Sequence, residues 1–250
     1  MPTRLRQIIY TTILIWPSLN AWSTSVCSNV SHTLDSSISG DCIIPDSGGP
    51  YFTHPGGTSV SGSMTLMPPS NVNGPFSTLN ISPTTPLSLP SAGTTLNLER
   101  SALLYGSGTI SGSIVSDGTI DPTHSTPYVV AAGASPLNST TVNSITEVPL
   151  GSVGSATAGN ITINGSLRAM DQTVAANSNS ALGFLITPSS NSQIVLGPSS
   201  SVDLTNIHLS VEAQGLGIGP GNNLKTTWTL IQGLDHTSSI TGCLHANLRD

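Results

Sequence analysis

The stretch from Thr94 to Pro122, TTLNLERSALLYGSGTISGSIVSDGTIDP, most constrains the fold. Aliphatic residues alternate with small polar ones at period two, in bursts of four or five residues. Gly106, Gly108, Gly112 and Gly118 separate the bursts. Period two places apolar side chains on one face of a strand, and glycine supplies the backbone freedom of a tight corner. The segment therefore predicts strand, turn, strand, turn, strand, with Gly-Thr-Ile recurring ten residues apart. The same texture returns in TTVNSITEV, GNITINGSLRAM, ALGFLIT, SQIVLG, SSVDLTNIHLSVE and TWTLIQG.

Short strands at close spacing leave a sandwich, a barrel or a β-solenoid. Composition favours the solenoid. Aromatics are 4% of the 250 residues and charged residues 7%, whereas the chain has 25 glycines and 18 prolines. Stacked rungs use slender aliphatics inside, Ser, Thr and Asn in ladders outside, and Gly at corners. A sandwich would show more aromatics and more two-residue hairpin turns. From Thr94 onward only Asp117-Gly118 and Asn164-Gly165 look like hairpin turns. Scarce Lys and Glu also argue against long amphipathic helices. The expected fold is all-β, a right-handed parallel β-helix over 94–250. Residues 24–93 carry Pro68, Pro69, Pro83, Pro86 and Pro90 between shorter bursts and are expected to form an irregular N-terminal cap.

Residues 1–23 read as a secretory signal peptide. Arg4 and Arg6 precede an apolar run from Ile8 to Leu19, and Ala21-Trp22-Ser23 offers small residues for cleavage. The run falls short of the roughly 20 residues that span a bilayer, and Pro17 interrupts it. Its removal leaves four basic side chains against twelve acidic ones, with no basic cluster to neutralise phosphates. The expectation is an exported chain with no nucleic-acid partner and no integral membrane segment after processing. Its location would be cell-surface, extracellular or periplasmic. In an oxidising compartment Cys27 and Cys42 are the expected disulfide, closing a short loop worth about 3 kcal/mol on the chain-entropy model. Cys243 is left over.

The run from Gly159 to Leu244 resembles the C-terminal end of bacterial autotransporter passengers. It has the order NITINGSL, an aliphatic strand, QIVLGPSSSVDLTNIHLSV, a loop with Gly219 and Gly221, WTLI and a closing ITG. GSGTISGSIVSDGTIDP is similar to the rungs of the same family. The resemblance implies a right-handed parallel β-helix displayed at the cell surface, ending just before an outer-membrane barrel. Ser192 stands where that family often has Asp, and the sequence stops six residues beyond Leu244 with no barrel strands. Self-export by the family's route is therefore not expected. A truncated frame, a passenger remnant and a stand-alone solenoid all fit.

Motifs for chemistry are sparse. Asp46-Ser47-Gly48-Gly49-Pro50 resembles the nucleophile segment of chymotrypsin-like proteases. Pro45, two residues before Ser47, lacks the N–H that would form half of the oxyanion hole. Too little chain precedes Ser47 to build the barrel that holds the other triad members. A polysaccharide lyase would need clustered carboxylates and a base, and a glycosidase a carboxylate pair. The nearest grouping is Asp117 and Asp121 with His124, flanking a strand at turn-like positions where a carboxylate caps its own backbone. Arg100, Arg168, Lys225, His54 and His208 read as isolated surface or loop residues. No zinc spacing and no phosphate-binding loop occurs. The sequence therefore predicts a non-enzymatic, adhesin-like surface protein with no catalytic residue, cofactor or metal site, and with an unidentified surface or host-cell ligand. A carbohydrate-active β-helix enzyme is the alternative.

Overall fold

A computed structural model describes residues 25–27, 32–45, 50–68, 77–123, 128–130, 147–149, 157–170, 180–213, 227–242 and 245–246. These residues contain strands and no helix. The chain visits three parallel sheets, A, B and C, in a fixed cycle.

In the first turn β1 (Ser25–Val26) joins sheet A and β2 (Ser37–Ile38) joins sheet C, while Thr33 makes a single parallel bridge to Phe52. The second turn is β3 (Cys42–Ile44), β4 (Tyr51–Phe52) and β5 (Thr58–Val60), and the third is β6 (Met64–Leu66), β7 (Thr78–Ile81) and β8 (Leu87–Ser88). The fourth runs β9 (Thr95–Leu98), β10 (Leu103–Gly106) and β11 (Gly108–Ser111). In the fifth, β12 (Ser113–Ser116) and β13 (Thr119–Asp121) are followed by an antiparallel pair, β14 (Tyr128–Val130) and β15 (Glu147–Pro149), before β16 (Asn160–Asn164). The sixth is β17 (Ser166–Ala169), β18 (Ala181–Ile186) and β19 (Gln193–Leu196). The seventh is β20 (Ser201–Asp203), β21 (His208–Ala213) and β22 (Ile231–Gly233), and β23 (Ser239–Thr241) and β24 (His245–Ala246) begin an eighth. This is the parallel β-helix that the alternation predicts.

Register carries the core. In sheet A the inward column runs Cys42, Met64, Leu96, Ile114, Leu167 and Val202, all buried, and ends at Ile240. Sheet B supplies Tyr51, Leu79, Leu104, Ile120 and Leu182, and sheet C supplies Leu87, Ile110, Ile163 and Leu196. They form one apolar prism, built mainly from Leu and Ile, in keeping with the scarcity of aromatics. Polar ladders run along the outside. Ser37, Ser59, Ser88, Ser111 and Asn164 follow one another up sheet C, and Asn97 donates to the Thr65 hydroxyl at 3.3 Å in sheet A.

The corners explain the glycines. A methyl group on Gly165 would overlap the Gly112 carbonyl of the preceding turn. Asn164-Gly165 and Asp117-Gly118 both connect parallel strands of different sheets, so these hairpin-like dipeptides make solenoid corners instead. Residues 24–93, expected as an irregular cap, contribute β1 to β8 to the same three sheets. The stack runs on through Thr94. Its early strands are short, and the described prolines before Thr94 lie in connections or at strand margins.

The two ends differ. At the N-terminal end Cys27 is bonded to Cys42 with a Cα–Cα distance of 5.0 Å, and Cys27 and Leu34 are buried. At the other end Ile240 is 49% exposed and Leu234 60%.

Candidate functional site

The acids that the sequence singles out lie where sheet A turns into sheet B and on the outer face of sheet B. After β12 the chain bends through Asp117 and Gly118. The Asp117 amide donates to the Leu98 carbonyl of the previous turn at 2.7 Å, which locks this corner onto the one before. Gly118 is required there, because a methyl would collide with the Ala102 carbonyl. Ser116 occupies an inward position, accepts from the Gly118 amide at 3.2 Å and donates to the Gly118 carbonyl at 3.1 Å. The preceding corner carries Glu99. Its carboxyl is pushed above the ordinary range, first by burial and then by the Asp117 carboxylate. The carboxylate set against Asp117 is therefore Glu99, brought from another turn by register.

On sheet B, Leu104 points into the prism, so Leu103 and Tyr105 point outward, yet both are buried and form a small cluster of their own. Tyr105 is registered between Asn80 and Asp121, at the strand spacing of about 4.8 Å. Burial raises the Tyr105 phenol, and a side-chain hydrogen bond with Asn80 offsets part of that. Asp121 is the last residue of β13, at the strand's end and not in a turn. The next position of the column is Gly183, where a methyl would stand 3.3 Å from the Asp121 carboxyl carbon. Asp117 and Asp121 are 3% and 6% exposed, so neither is a solvated turn carboxylate.

No known protein family, curated protein or solved structure matches this chain. Function must be read from the residues alone.

A carboxyl raised above its ordinary range beside another carboxylate is one ingredient of an acid–base couple. The same pairing also arises wherever two acidic corners stack, so it does not by itself specify a reaction. Among the described residues no group of three or more His, Cys, Asp or Glu is arranged to hold a metal ion. No helix among the described residues is long and apolar enough to cross a membrane, a statement that does not bear on β-barrels.

Other residues singled out from sequence fall apart in space. His54 sits in a turn, its amide donating to Thr58 Oγ1 at 3.0 Å and its carbonyl accepting from Gly57 at 2.7 Å. His208 begins β21 beside the core-packed Leu209 and lies on the sheet's other face, as alternation predicts. Arg168 is the register neighbour of Asp203 on the exposed side of sheet A, an opposite-charge pair invisible in sequence. Ser47, His124, Lys225 and Cys243 lie outside the described residues. Sequence reasoning misses Glu99 and Tyr105. Each acquires its partner from a neighbouring turn, and without a strict repeat the register cannot be counted off the chain.

Proposed function

We propose that this chain is an exported, non-catalytic β-helix, similar in role to an autotransporter passenger, that works by display or contact at a bacterial surface. The observation that carries the reading is the uninterrupted stack. Three sheets share one apolar prism, and many of their outward positions carry Ser, Thr or Asn in a chain with few charged residues. Such a body offers long flat faces for contact. The disulfide supports an oxidising compartment, and the leader-like residues 1–23 support export. Expression of the whole chain in a Gram-negative host tests this. The expected result is loss of the first 23 residues and recovery of the product outside the cytoplasm, cleaved by protease added to intact cells or to spheroplasts. Unprocessed, reduced protein confined to the cytoplasm would end the proposal.

A second reading is supported by one observation, Glu99 set against Asp117 with its carboxyl raised by burial and then by that carboxylate. It makes the chain a carbohydrate-active β-helix, a lyase or glycosidase, working at Asp117 and Asp121 with Glu99. Under this reading the purified chain releases new chain ends from some acidic or neutral polysaccharide, and Asp117→Asn or Glu99→Gln abolishes the release. Inactivity across a broad polysaccharide panel would leave only the contact role.

A further inference from the structure

The Cys27–Cys42 bridge closes a ring over a sequence separation of 15, and that ring is nearly the whole first turn of the coil. Ser25 and Cys42 are register neighbours in sheet A, so the chain completes one circuit between them. Inside the ring, Leu34 and Ile38 are buried against the prism, and both cysteines are buried members of the same core. Besides the bridge, the turn is held by short ladders, by backbone hydrogen bonds such as Leu34 to Phe52 and Ser61 to Ile38, and by the His32–Tyr51 ring contact. β1 lies on β3 over two residues, β2 lies on β5 over two, and Thr33 adds a single bridge to Phe52. By contrast β18 and β21 pair over six residues. The first turn is thus a covalent hoop on short ladders.

We infer that this turn is a redox-dependent end cap: oxidised, it seals the N-terminal end of the prism, and reduced, residues 25–41 detach while the turns beyond remain folded. The chemistry is thiol–disulfide exchange with a dithiol. One of its thiolates attacks a bridge sulfur to give a mixed disulfide, and its second thiol displaces the remaining cysteine. The protein gains two electrons and two protons as two thiols, and the dithiol leaves as its own disulfide. Because Cys27 and Cys42 are buried, exchange proceeds through transient opening of the same short ladders. Release uncovers the edges of β3, β4 and β5, which are then unpaired strands able to recruit another strand. Before oxidation the chain is therefore unsealed at this end, and the seal forms only in an oxidising compartment.

Hydrogen exchange of the full chain, read by mass spectrometry with and without a dithiol reductant, tests the cap. Alkylation and mass measurement confirm that both thiols are free. The expected result is exchange on the order of 100-fold faster across residues 25–41, the equivalent of the loop's closure energy, with β12 unchanged. A Cys27→Ala/Cys42→Val double variant, which keeps apolar volume without the bond, is expected to match the reduced chain. Full protection of 25–41 in the reduced chain or in that variant would overturn the inference. So would simultaneous loss of protection in β12, which would make the bridge a support of the entire fold.

Discussion

Glu99 sits in the turn between β9 and β10, where burial and then the Asp117 carboxylate favour its protonated form. Its contribution to stability is complete below the ordinary carboxylate range and is lost as pH rises through its raised folded value. Glu99→Gln should therefore be the more stable chain at neutral pH, by a few tenths of a kcal/mol, roughly, for a group this open to solvent. That advantage should vanish near pH 4, and urea melts at both pH values read it directly. Equal differences at both would mean that charge is not the cause. Asp203 behaves oppositely: hydrogen bonds from the Thr205 side chain and then its backbone hold its carboxyl below the ordinary range. Its contribution is present above its unfolded value and lost as pH falls through the lowered one. The sequence marks Asp117 and Asp121 by their turn-like surroundings, but not Glu99, because only stacking brings the corners of Glu99 and Asp117 together.

At the level of strands and corners, much was legible in advance. Period two correctly identified the strand character of segments such as NITIN and QIVL, now β16 and β19, and the glycines marked where strands end. Two things were hidden. The prolines before Thr94 obscured short strands that join the same sheets, and the dipeptide Asn164-Gly165 reads locally as a hairpin while its neighbours make it a corner. Gly165→Ala should cost about 2 kcal/mol in denaturant melts, since its methyl meets a backbone carbonyl that cannot step aside. A neutral outcome would mean that the corners are looser than the stack shows. Position within the column should matter as much as residue type. Ile114 and Ile240 share an inward column, one fully buried and the other half exposed at the last turn. Ile114→Ala is expected to destabilise by about 3 kcal/mol and Ile240→Ala by less than about 1 kcal/mol. Matching losses would mean that the C-terminal turn is covered in solution.

For the whole molecule, sheet A sets the length. Eight strands at the usual spacing give an axis of about 34 Å. Circular dichroism should show strand without appreciable helix, and small-angle scattering should give a particle consistent with such a stack. A dominant helical spectrum would contradict the fold. The cross-section stays constant although the chain spends very different lengths on each circuit. Ser113 reaches its neighbour Ser166 only after 53 residues, and the Ser166 hydroxyl still donates to the Ser113 hydroxyl at 2.9 Å. Between them the polypeptide leaves sheet B after Asp121, includes the β14–β15 pair, and rejoins sheet C at Asn160. The prism does not register how far the chain has wandered, only where it returns. That stretch is accordingly the natural place to graft a foreign epitope or an affinity tag, and the rungs on either side supply the anchorage for whatever is carried there.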